Sequence, residues 1–150
     1  MENGYWFRSN LFKITAGEDE KTNPGCYGKS LAEWLCTKFS KLGYKPKVIA
    51  DDWGWCVMCT TEEYMLWIGC GSTREHELIE NYNPKIPPDT KDVIWHVFPT
   101  VEIPFFMIKS KIRKWLGMLD TNTPFEKLSL DLEKVLSSED KIEFCEEPEL

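Results

Sequence analysis

Residues 53–70, Trp53-Gly54-Trp55-Cys56-Val57-Met58-Cys59-Thr60-Thr61-Glu62-Glu63-Tyr64-Met65-Leu66-Trp67-Ile68-Gly69-Cys70, form two apolar runs around the polar triplet Thr61-Glu62-Glu63. Each run is too short for a core helix and is rich in aromatic and β-branched side chains. The pattern predicts an antiparallel hairpin, with strands over Trp53–Thr60 and Tyr64–Cys70. Upstream, Lys47–Ala50 reads as a further strand.

Before that strand, Leu31, Trp34, Leu35, Phe39 and Leu42 fall at helical spacing and predict a helix over 31–42. Ser30 and Glu33 have the spacing of a capping box, and Gly43 sits where a left-handed cap belongs. Downstream, Val93–Val101 is expected as a strand. Pro104 opens a second helix whose apolar stripe, Phe105, Ile108, Ile112, Trp115, Leu116 and Leu119, is expected in the core. Thr123-Pro124-Phe125-Glu126 starts a third helix, buried through Phe125, Leu128, Leu132, Val135 and Leu136. Phe7–Thr15 has strand-like content, and Lys141–Cys145 is a candidate last strand.

Short turns between strands, with no βαβα alternation, predict an α+β fold: one mainly antiparallel sheet with about three helices on one face. The length of 150 residues fits a single domain. Residues 16–23, 73–92 and 146–150 are expected to be loop or mobile, with one helical turn near Glu75–Glu80. Seven Trp, eight Phe and five Tyr supply a core that needs no staple. The six cysteines are therefore read as free thiols in a reducing compartment. Met1–Arg8 lacks a basic-then-apolar leader, and no apolar run is long enough to span a bilayer, so a cytoplasmic address is expected.

The net charge of −7 is unevenly spread. Residues 126–150 hold nine acids against three lysines, a net −6, and residues 1–125 are nearly neutral at −1. General nucleic-acid binding by net attraction is thereby disfavoured.

Several motifs invite a chemical reading. Asn23-Pro24-Gly25-Cys26-Tyr27-Gly28-Lys29-Ser30 ends in the Gly-Lys-Ser of a phosphate-binding loop. Its first required glycine is Asn23, however, and an acidic stretch rather than a strand precedes it. Cys56-Val57-Met58-Cys59 has Cys-x-x-Cys spacing, but in a strand positions three apart face opposite sides. No metal and no cofactor is expected. His76 and His96 are the only histidines; a small hydrolase-like enzyme using Cys or His with Asp51 or Asp52 is an alternative reading that nothing in the spacing favours.

Asp51-Asp52-Trp53-Gly54-Trp55 is the most informative patch. In one extended strand Trp53 and Trp55 would share a face, with Trp67 extending it from the neighbouring strand. A core of large aromatics with two solvated aspartates at a turn explains the pattern slightly better. The functional reading is a partner-binding surface of Asp51, Asp52, Trp53, Trp55 and Trp67, where indoles anchor and carboxylates attract a basic protein. Lys109, Lys111, Arg113 and Lys114 form a secondary basic patch on the second helix, which no acid interrupts between 105 and 119. Four cations are few for a membrane or nucleic acid; a nucleic-acid-binding module through helix 105–119 is the second alternative. The acidic C-terminal segment is the second candidate surface, and it could neutralise this helix.

Asn23-Pro24-Gly25-Cys26-Tyr27-Gly28, Leu31-Ala32-Glu33-Trp34-Leu35, Asp52-Trp53-Gly54-Trp55 and Trp67-Ile68-Gly69-Cys70-Gly71 together resemble a family of small bacterial proteins of unassigned activity. The resemblance implies a bacterial cytosolic origin and no catalytic residues. The resulting expectation is a non-enzymatic, cytosolic protein-binding module of the immunity or inhibitor type, whose partner is another protein rather than a membrane or nucleic acid.

Overall fold

A computed structural model of the chain describes residues 4–74 and 80–149. Six strands form one antiparallel sheet: β1 (Tyr5–Arg8), β2 (Lys47–Asp51), β3 (Gly54–Thr60), β4 (Met65–Arg74), β5 (Val93–Glu102) and β6 (Glu143–Cys145). Their order is β2-β3-β4-β5-β1-β6, so a four-strand meander is extended at β5 by the N-terminal strand and then by the C-terminal one. Three helices lie among the described residues: α1 (Lys29–Lys41), α2 (Ile108–Trp115) and α3 (Asn122–Ser137). The fold is α+β, as the sequence predicts.

Strand alternation sorts the side chains. Trp55 and Val57 on β3, Leu66, Ile68 and Cys70 on β4, and Trp95 and Val97 on β5 point to one face and are buried. There they meet Leu31, Leu35 and Phe39 of α1 and Leu128, Leu132 and Leu136 of α3. Each such leucine contributes about 1.5–3 kcal/mol of apolar burial. Helix α1 closes as expected at Gly43 (φ +94°), where Gly43 N–H donates to the Ser40 carbonyl and Tyr44 N–H to that of Phe39. The Tyr44 hydroxyl then donates to Asp131 Oδ2 at 2.8 Å, and Lys127 Nζ donates to the same oxygen at 2.8 Å, tying α1 to α3.

Several expectations are corrected. The first concerns the cap of α1, which is Glu18 and not the Ser30–Glu33 box. Gly28 is the N-cap, and Glu18 Oε2 accepts from the Gly28 and Lys29 amides at 3.3 and 3.1 Å. A carboxylate at a helix N-terminus satisfies orphan donors and complements the dipole, so it displaces a hydroxyl. Asp19 Oδ2 accepts from Gly25 N–H and from the Tyr82 hydroxyl. Residues 16–23 are therefore pinned, and Glu18 and Asp19 are buried.

Second, α2 does not join the core. None of its residues is buried, and of the predicted stripe only Leu119, beyond its end, is covered. Third, the chain reverses at Asp52-Trp53, with Asp51 pairing Gly54. That turn restarts the alternation, so Trp53 and Trp55 do not share a face. The strand expected over Phe7–Thr15 lies earlier, at Tyr5–Arg8. His76 and most of the turn expected near Glu75–Glu80 lie outside the described residues.

Candidate functional site

The sheet face opposite α1 and α3 carries a contiguous group of rings. Strand register places Trp6 beside His96 across β1 and β5, and Gly69 beside Phe98 across β4 and β5. The Trp6 and His96 rings stack at 3.7 Å with 2° between their planes. His96 meets Phe98 at 5.0 Å, and Phe98 meets Trp53 at 5.4 Å and Trp67 at 5.8 Å. Trp53 and Trp67 close the group at 5.8 Å. All five rings are part-exposed, Trp53 the most clearly at 37%.

Glycine makes this arrangement possible. A Cβ on Gly69 would lie 2.3 Å from Phe98 Cζ, so the Phe98 ring lies directly on the bare backbone of β4. At Gly71 the fit is looser: an added Cβ would stand 3.9 Å from the Trp53 indole, an ordinary contact. The Phe98 ring thus occupies the space a side chain at position 69 would fill, and the rings around it contact one another.

Carboxylates rim the face. Asp51 and Asp52 are exposed at the β2–β3 turn, where Asp51 Oδ1 accepts from Asp52 N–H at 2.7 Å. Across the face, Glu102 Oε1 accepts from Trp67 Nε1 at 3.2 Å and fixes that indole. Cys56 reports both sides: burial first, then the charges of Asp51 and Glu102, push its thiol up to about 12. Cys59 rises to about 12 through burial, and Cys70 rises well above its ordinary value for the same reason. A thiol so placed stays protonated at neutral pH and offers no thiolate nucleophile. Cys56 and Cys59 stand on opposite faces of β3, and no group of metal-binding side chains occurs among the described residues.

Of the residues singled out from sequence, Asp51, Asp52, Trp53 and Trp67 come together on this face. Trp55 does not: it is 4% exposed and packs in the core beneath α1. Trp6, Phe98 and Glu102 are the members that sequence reasoning missed, and His96, weighed there as a catalytic candidate, joins them as a ring of this face. Their signal was the alternation Val93, Trp95, Val97 against Ile94, His96, Phe98, which places a second set of large side chains opposite the core. The phosphate-loop resemblance also finds its explanation. The amides of Gly25, Gly28 and Lys29 are already occupied by the carboxylates of Asp19 and Glu18.

The chain matches no family model, curated protein or solved structure.

The basic patch is divided. Arg113 Nη1 pairs with Glu63 in the β3–β4 turn, and Lys114 Nζ donates to Thr121 Oγ1 at 2.9 Å. Lys109 and Lys111 are exposed and have no ion-pair partner among the described residues. No ion pair joins α2 to the acidic segment 126–149 there either, so the expected neutralisation is not what the fold builds.

Proposed function

We propose that this chain is a non-enzymatic, cytosolic protein-binding module of the immunity or inhibitor type, which holds a basic partner protein against the open face of its sheet. The observation that carries this reading is the group of five part-exposed rings on a six-stranded scaffold, rimmed by Asp51, Asp52 and Glu102. Tryptophans held by neighbouring rings lose little conformational freedom on binding, so more of their contact area becomes affinity. The carboxylates at the rim attract and orient a cationic surface, and they contribute chiefly to encounter rate and specificity. The protonated thiols and the stacked His96 favour this reading over a cysteine or histidine hydrolase.

The test is recovery of a stoichiometric partner from the native host, followed by calorimetric titration of that partner. Trp67→Ala is expected to weaken binding about 30-fold, the effect of losing one hot-spot aromatic of about 2 kcal/mol. Asp51→Asn with Asp52→Asn is expected to slow association at low salt and to matter little at high salt. Full affinity in both variants would refute the reading.

A further inference from the structure

Helix α2 is an amphipathic helix mounted with its polar side toward the body. At 3.6 residues per turn, Ile108, Ile112, Trp115 and Leu116 fall within about 100° of arc. Ser110 and Arg113, on the other side, are the least exposed residues of the helix. Arg113 is held by Glu63, and the adjacent Lys114 by Thr121. The polar bonds orient the helix, and the apolar arc is left facing outward. Trp115 is 84% exposed, and Phe105 in the turn before the helix is equally so. Phe106 and Met118 prolong the apolar surface at the two ends.

Lys109 and Lys111 flank that arc, one on each long edge. Neither has an ion-pair partner among the described residues, and residues 103–119 contain no acid. Aliphatic stems along an apolar strip, with ammonium groups at both margins, form an arrangement that suits a plane with an apolar layer beneath an anionic one. A second copy docked helix to helix would instead set four cations against four.

We propose that α2 seats this protein on an anionic lipid surface, its outward stripe entering the headgroup boundary and Lys109 and Lys111 pairing with lipid phosphates. The sequence pattern argued against a membrane on two grounds, the small number of cations and the assignment of the stripe to the core; the fold removes the second, and the exposed stripe adds apolar area to what the lysines supply. This inference stands apart from the aromatic face of the sheet, so either can fail alone.

The experiment is flotation of the full chain with vesicles of phosphatidylcholine, with and without phosphatidylglycerol. The wild type is expected to float with the anionic vesicles and to be released by salt. Ile112→Ser with Trp115→Ser is expected to abolish flotation without lowering thermal stability, because both side chains are exposed. Lys109→Gln with Lys111→Gln is expected to weaken anionic binding by about 30-fold, from roughly fivefold per lysine. Trp67→Ala is expected to float like the wild type. Absence of flotation, or flotation unchanged in the serine variant, would overturn the proposal. A lipid-free dimer that the serine variant dissolves would overturn it too, by giving the stripe to a second copy.

Discussion

Gly69→Ala probes how the aromatic face is built. The new Cβ would stand 2.3 Å from Phe98 Cζ, well inside carbon–carbon contact, so the Phe98 ring must leave the sheet. The ring lies on an open face and can swing toward solvent, so the cost is lost contact rather than a core clash. Phe98 touches His96, Trp53 and Trp67, and aromatic pairs contribute about 0.5–1.5 kcal/mol each. Against this stands a gain of about 0.4–1 kcal/mol from removing a glycine from the unfolded chain. The net expectation is a loss of about 0.5–4 kcal/mol. Urea unfolding measures it, and near-ultraviolet circular dichroism reports the lost ring coupling. In a Phe98→Ala background the same substitution should cost nothing or stabilise. A Gly69→Ala protein with wild-type stability and an unchanged near-ultraviolet spectrum would refute the geometry.

Glu18→Ala is expected to cost about 2–3 kcal/mol, combining a lost cap with buried amides left unpaired, whereas Ser30→Ala should stay within about 0.5 kcal/mol. Urea midpoints compare the two, and equal costs would return the capping role to Ser30. The Tyr44–Asp131–Lys127 cluster is expected to set a pH window. Burial raises the Asp131 carboxyl, but the hydrogen bonds from Lys127 and Tyr44 outweigh it and leave the group below its ordinary 3.8. Its contribution is therefore complete above 3.8 and lost as pH falls through the lowered folded value. Burial, then the bond to Asp131, pushes the Tyr44 hydroxyl from 10.0 to about 12, so its contribution is complete below 10.0 and lost as pH rises through about 12. Tyr44→Phe should remove that alkaline loss in melts across this range, and an unchanged alkaline limb would argue against the cluster.

Much of the fold was legible because local periodicity and burial agree. The β3–β4 hairpin, α1 and α3 each carry one apolar face with the spacing of their own geometry, and each face is buried. Helix α2 shows where that reasoning stops. Its stripe declares an apolar side, but the side that meets the body carries Arg113, whose partner Glu63 lies 50 residues away in sequence. The turn at Asp52-Trp53 is a second case. A one-residue difference in where β3 begins sends Trp55 to the core and leaves Trp53 outside. The aromatic face was half visible: Trp53, Trp67 and the two aspartates could be named. Trp6, His96 and Phe98 join them only through cross-strand register, which a single strand does not encode. The cap of α1 was hidden for a related reason, since Glu18 reaches it from ten residues upstream.

Oxidative footprinting of the tryptophans, read by mass spectrometry with and without the recovered partner, tests the proposed binding face most directly. The account predicts that Trp53 and Trp67 become protected in the complex while Trp115 keeps its reactivity. Protection at Trp115 with Trp53 and Trp67 unchanged would contradict it.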